Sequence, residues 1–187
     1  MGKVISFSNQ KGGVGKTTSC VNLSAYCAAA GKKVLLVDID PQGNATTGLG
    51  FSKATLKKSV YNVLIDDEPA GDNILATNIE NLFILPSNID LAGAEVELVY
   101  KRGRERVLKG ALEAVKGDYD FIFIDCPPSL GLLTINALVA TDSVIIPIQS
   151  EYYALEGLTQ LMNSISLVKQ SLNKSLKVEG VLLTMYD

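Results

Sequence analysis

Short runs of apolar and β-branched residues alternate along the chain with longer stretches whose apolar positions recur at helical spacing. The short runs predict strands over Lys3 to Ser8, Val34 to Asp38, Asn81 to Leu85, Tyr119 to Asp125, Ser143 to Ile148 and Lys177 to Thr184. The VLLVD run is apolar up to its terminal acid, which predicts burial on both faces. Helices are predicted over Lys16 to Ala30, Val60 to Ile65, Asp90 to Tyr100, Glu105 to Val115, Leu133 to Ala140 and Ala154 to Leu172. Gly31 is placed to cap the first of them. Residues 41–58 are rich in Gly, Thr, Ser and Lys and read as an excursion with little regular structure, and residues 66–71 read as a turn.

Repeated alternation of strand and helix predicts an α/β fold: a mostly parallel twisted sheet with helices on both faces. Ligands in such folds gather at the carboxyl ends of the strands. Polar residues are delivered there by Ser8 to Gln10, Asp38 to Asp40, and Asp125. At 187 residues one domain over 1–187 is expected, and a chain stopping just after a strand reads as lacking a C-terminal closing segment.

Composition narrows the chemistry. No apolar run approaches the ~18 residues of a membrane span, and the N-terminus enters a strand without signal-peptide architecture, which points to the cytoplasm. Cys20, Cys27 and Cys126 lack CxxC spacing and read as buried free thiols. Histidine is absent, which excludes His-based acid–base chemistry and the Ser-His-Asp triad. The net charge of −3 argues against a nucleic-acid binder that is basic throughout. Residues 101–116 nevertheless hold six basic side chains against two acidic ones, either a solvated helix face or part of a nucleic-acid footprint.

The sharpest signal is KVISFSNQKGGVGKTT, residues 3–18: strand, glycine loop, helix start. Gly12, Gly13 and Gly15 let backbone N–H groups around Val14 converge on an anion, and the following helix points its positive end at the same place. Lys16 adds a charge that reaches outer phosphates, the Thr17 hydroxyl is placed to ligate Mg²⁺, and Thr18 follows in the first turn. The strict P-loop pattern asks for a glycine at position 10, which is Gln10 here, so the loop is a variant. Asp125 ends its strand where a carboxylate can hold Mg²⁺, and CPPSLG after it suits a phosphate-sensing switch. Asp38 and Asp40 share a strand face. Asp40, further out, is expected to orient the attacking water, and Asp38 to support the loop by hydrogen bonds. Lys11 faces outward in this reading, either as a solvated lysine or as a charge supplied to a second copy.

KGGVGKTT, DIDPQGNATTGLG, FIFIDCPPSLG and VIIPIQSEYYALEGL together resemble the ParA/Soj partition ATPases, deviant Walker A members of the P-loop class. The DPQGN segment favours that branch over MinD-like membrane-positioning ATPases, the alternative reading. The resemblance implies ATP and Mg²⁺ as cofactors, an ATP-sandwich homodimer that binds DNA non-specifically, a ParB-type partner that stimulates hydrolysis, no membrane attachment, and a cytoplasmic, nucleoid-associated location. By the same resemblance Lys11 is the lysine that reaches across the dimer, Gly12 the interface glycine, Lys16 the P-loop lysine, Thr17 and Asp125 the metal ligands, and Asp40 the catalytic acid. It further implies that a C-terminal segment is missing, with part of the adenine pocket and many DNA-gripping residues.

Overall fold

The computed structural model describes residues 2–150 and 154–185, and for 154–156 the backbone alone. Residues 151–153 of the VIIPIQSEYYALEGL motif and the terminal 186–187 lie outside the described residues. The strands are β1 (Lys3–Phe7), β2 (Val34–Asp38), β3 (Leu75–Ala76), β4 (Leu82–Leu85), β5 (Phe121–Asp125), β6 (Ser143–Gln149) and β7 (Lys177–Thr184). The helices are α1 (Lys16–Ala29), α2 (Asn44–Gly48), α3 (Val60–Leu64), α4 (Ala70–Asn73), α5 (Leu91–Leu98), α6 (Val107–Glu113), α7 (Leu132–Ala140) and α8 (Ala154–Ser171). A 3₁₀ turn at Lys116–Asp118 joins α6 to β5.

All seven strands form one sheet in the order β3-β4-β2-β5-β1-β6-β7. Every pairing is parallel except β3 with β4. Alternate strand residues serve opposite layers, as the two-residue period requires. Val4, Leu35, Val37, Ile122 and Ile124 pack with α3, α5, α6 and α7. Ile5, Phe7, Val34, Leu36 and Phe123 pack on the other side with Cys20 and Ala28 of α1 and Ala45 of α2. A third cluster joins Val144, Ile146 and Ile148 of β6 to α7 and α8. The predicted α/β sheet with helices on both faces is therefore the fold that forms.

The register decides where the chemistry sits. Phe7 lies opposite Asp125 across the β1–β5 pair, and Asp38 lies opposite Asp125 across β2–β5. The end of β1, where the glycine loop begins, thus stands beside two acids at the carboxyl ends of the central strands.

Two expectations change. The excursion predicted over 41–58 contains α2, and the turn predicted over 66–71 runs into α4, followed by β3. α2 forms because Gly43 takes up a left-handed conformation (φ 59°) ahead of it. In addition, Asp38 accepts the Thr46 backbone N–H from within the helix's first turn. The basic stretch over 101–116 also looks different once folded. Lys101 pairs with Asp67, Arg104 with Glu105 and Lys116 with Asp142, so half of its six cations are compensated locally.

Candidate functional site

Between β1 and α1 the chain makes a loop whose shape only glycine permits. Gly13 and Gly15 have φ of 74° and 79°, where an L side chain is strained. Val14 between them is buried and anchors the loop to the core. Lys16 is buried as well, and its Nζ donates to the Lys11 carbonyl at 3.0 Å, folding the side chain back over the loop. Burial lowers the Lys16 pKa, while the charges of Asp125, Cys126 and Asp40 pull it back up. Lys11 is half-buried, and its own N–H donates to Asn9 Oδ1 at 3.0 Å.

A cavity of about 290 Å³ opens at this place, lined by Gly12, Gly13, Gly15, Lys16, Thr17 and Thr18 together with Asp40 and Pro128. The residues singled out from sequence therefore converge, although Lys11, Val14 and Asp125 are not in the lining. A larger cavity, about 460 Å³, lies between α3, α4 and α6 with Arg102 and Arg106 at its rim. No strand residue lines it, and it has neither Gly13 and Gly15 nor the start of α1, so the smaller one is the candidate site.

The acids divide by environment. Asp38 is fully buried and accepts from the Asp40 N–H (3.2 Å), the Thr46 N–H (2.8 Å) and the Thr46 hydroxyl (2.7 Å). Burial still outweighs these bonds and pushes its pKa up to about 6. Thr46 Oγ1 in turn accepts the Ser87 N–H, and the Ser87 hydroxyl donates to the Asp40 carbonyl at 2.8 Å. Asp40 is thus held by its backbone, while its carboxylate accepts the Gln42 N–H at 2.8 Å and faces the cavity. The sequence predicts that Asp38 supports the glycine loop by hydrogen bonds; its bonds go instead to Asp40 and Thr46 of the segment that follows its own strand.

Asp125 is buried with no hydrogen-bond partner of good geometry on either carboxylate oxygen. Its pKa is pushed up to about 8, by burial first and then by the Asp38 charge, with the Thr17 hydroxyl and Lys16 opposing only in part. An orphaned buried carboxylate beside a hydroxyl is what a hard cation satisfies. Among the described residues no three acidic, Cys or His side chains are grouped to hold a metal alone. The donor set therefore fits Mg²⁺, which keeps waters and phosphate oxygens in its shell and asks few protein ligands.

Sequence reasoning placed Asn9 at a strand end without a role, and missed Thr46, Ser87, Gln149 and Thr184. Asn9 Nδ2 donates to the Pro147 carbonyl at 2.7 Å, Gln149 Nε2 to the Gly13 carbonyl at 3.1 Å, and Thr184 Oγ1 to the Val14 carbonyl at 2.9 Å. For Asn9, Ser87, Gln149 and Thr184 the only signal in the sequence is position, at or just beyond strand ends, and Thr46, inside α2, has none.

Left-handed glycines opening a helix, a lysine bent over them and acids on neighbouring strands are how P-loop nucleoside triphosphatases are constructed, and this chain is one by fold and site. A family model described as an AAA domain matches residues 2–178. The chain is 64% identical to the sporulation initiation inhibitor protein Soj of Bacillus subtilis (strain 168), over 100% of its own length and 74% of that protein. It is 54% identical to the chromosome partitioning protein ParA of Myxococcus xanthus (strain DK1622), over 100% of its own length and 66% of that protein. The chain belongs to the ParA/Soj family of partitioning ATPases. Among solved structures, the cobyrinic acid a,c-diamide synthase of Mycobacterium smegmatis with bound ADP and magnesium superposes with a TM-score of 0.96 at 46% identity, covering 100% of this chain and 76% of that one. A putative plasmid partition protein of Borrelia burgdorferi B31 bound to AMPPNP gives 0.82 at 29% identity, covering 98% and 73%. No helix among the described residues is long and apolar enough to cross a membrane.

Proposed function

We propose that the chain binds and hydrolyses ATP with Mg²⁺ as the switch of a DNA-partitioning system. The observation that carries the reading is the convergence on one cavity of the left-handed glycines, the bent Lys16 and the catalytic candidate Asp40, with the unsatisfied Asp125 beside it. In this reading the backbone from Lys11 to Thr18, including Gly12, Gly13, Val14 and Gly15, holds the phosphates, and Lys16 leaves the Lys11 carbonyl for them. Thr17 and Asp125 hold Mg²⁺, whose bound charge offsets that of the phosphate oxygens. Asp40, fixed through Ser87 and Gln42, orients the attacking water.

The finer parts come from the family. They are an ATP-sandwich homodimer with Lys11 acting across it, non-specific DNA binding by that dimer, a ParB-type partner that stimulates hydrolysis, and residence in the cytoplasm on the nucleoid without membrane attachment. The chromosome-partitioning name of the Myxococcus xanthus relative, at 54% identity, favours this over the MinD-like alternative. The Mycobacterium smegmatis structure is named for a diamide synthase, and ATP turnover by this chain with no amide acceptor present separates that activity from a switch.

The test measures affinity and turnover together. Lys16→Ala should abolish ATP binding, whereas Asp40→Ala should keep it and lose turnover by about 10²-fold or more. Unchanged affinity in Lys16→Ala would remove the P-loop reading, and undiminished turnover in Asp40→Ala would remove the role of that acid.

A further inference from the structure

Buried Val14 and the Lys16–Lys11 hydrogen bond hold the glycine loop in place, but the peptide groups on either side of Val14 are flanked by Gly13 and Gly15, which tolerate many conformations. Those peptide groups are oriented from β6, the neighbour of β1, and from β7 beyond it. Gln149, the last residue of β6, donates from Nε2 to the Gly13 carbonyl at 3.1 Å. Thr184, the last residue of β7, donates from Oγ1 to the Val14 carbonyl at 2.9 Å, with a longer contact of 3.3 Å to the Ile148 carbonyl. A hydroxyl has one proton, and the shorter contact takes it. The two are in contact range: a Cβ on Gly15 would lie at van der Waals distance, 3.4 Å, from Thr184 Cγ2. Asn9 adds a third tie, with Nδ2 on the Pro147 carbonyl and Oδ1 on the Lys11 N–H.

In a planar trans peptide the C=O and the next N–H point in opposite directions. Binding the Gly13 and Val14 carbonyls to β6 and β7 therefore turns the N–H groups of Val14 and Gly15 away from the sheet edge, free for an anion. We propose that Gln149 and Thr184 are positioning residues that preset the phosphate cradle, so that nucleotide affinity is set partly by the ends of β6 and β7. The proposal rests on the nucleotide-binding reading above and extends it to residues that need not touch the nucleotide. Preorganised donors bind without the cost of arranging them at the moment of binding.

The experiment measures the affinity of the 187-residue chain for a fluorescent ADP with Mg²⁺, alongside the melting temperature without nucleotide. Thr184→Val keeps the shape and removes the proton, Thr184→Ser keeps the proton, and Gln149→Leu removes the second tie. Loss of one neutral hydrogen bond should weaken binding by roughly two- to tenfold in Thr184→Val and in Gln149→Leu. Thr184→Ser should restore most of it, a recovery that a purely steric role would not produce. Equal affinity in wild type and both Thr184→Val and Gln149→Leu overturns the proposal while leaving the P-loop reading intact. So does a Thr184→Ser variant as weak as Thr184→Val. A wild-type chain that binds no nucleotide overturns both. If Thr184→Val does not fold, Gln149→Leu, at the half-exposed last residue of β6, decides the question alone.

Discussion

Asp38 is a buried acid whose three hydrogen bonds do not cover the cost of its charge, and this gives it a pH signature. Its folded pKa of about 6 lies above the roughly 3.9 of an exposed aspartate. The native chain therefore holds this proton more tightly than the unfolded chain does. Stability from this group is full below about pH 4 and is lost as pH rises through 6, by up to about 3 kcal/mol. Asp38→Asn cannot ionise, so the fall in stability between pH 4.5 and 6.5 should shrink in that variant, as read by urea unfolding at several pH values. Asp125, pushed higher to about 8, continues to contribute a slope of the same sign. A pH dependence identical to wild type would mean that Asp38 titrates normally in the folded chain. At neutral pH the net effect of the substitution is smaller than the slope suggests. Asparagine offers one acceptor oxygen, and its amide would face either Thr46 or the Asp40 N–H donor to donor.

The elements differ in how plainly the sequence announces them, for reasons of distance along the chain. β2 and β5 are covered on both faces, so they read as continuous apolar runs, and their terminal acids fall at strand ends by counting. The glycine loop and its lysine are contiguous and equally plain. α2 was not legible because NATTG has weak helix propensity and is held by Asp38 in the strand before it. β3 has two residues, too few for any period. The ties on the loop were hidden more deeply, since Asn9–Pro147, Gln149–Gly13 and Thr184–Val14 span 138, 136 and 170 residues. α7 shows the same effect. It has no side-chain cap of its own, and its Leu133 N–H is met at 3.4 Å by Glu95 of α5. A Cβ on Gly131 would fall 1.9 Å from Glu95 Oε1, so Gly131→Ala must swing that flexible side chain off the helix end. The loss should be about 1 kcal/mol, the size of a helix cap. Glu95→Ala should cost about the same, and the double variant should cost no more than either. Additive losses in thermal or urea unfolding would show that Glu95 does not cap α7.

For the molecule as a whole, the question is what the site does with a second copy. The charge of −3 and the ion pairs of Lys101, Arg104 and Lys116 leave a single chain poorly equipped to hold DNA by itself. In the proposed reading, a second copy recruited by ATP would bring a second set of Arg102, Arg106 and Lys109 to the DNA. The loop geometry supplies a specific test, because Gly12 has an ordinary backbone conformation and a Cβ there would meet nothing within 4 Å inside this chain. Within one chain, alanine at position 12 is therefore harmless, and a glycine there is required only if something outside the chain approaches it. Light scattering on the Asp40→Ala chain should give the mass of one chain without nucleotide and with ADP, and twice that mass with ATP and Mg²⁺. Adding Gly12→Ala should hold the mass at one chain in every condition, with ATP affinity measured in parallel so that lost pairing is told apart from lost nucleotide binding. Pairing that survives Gly12→Ala would place the contact between copies away from the loop, and the trans role of Lys11 would go with it. A single-chain mass with ATP bound in both forms would show that these 187 residues hold the nucleotide without carrying the switch.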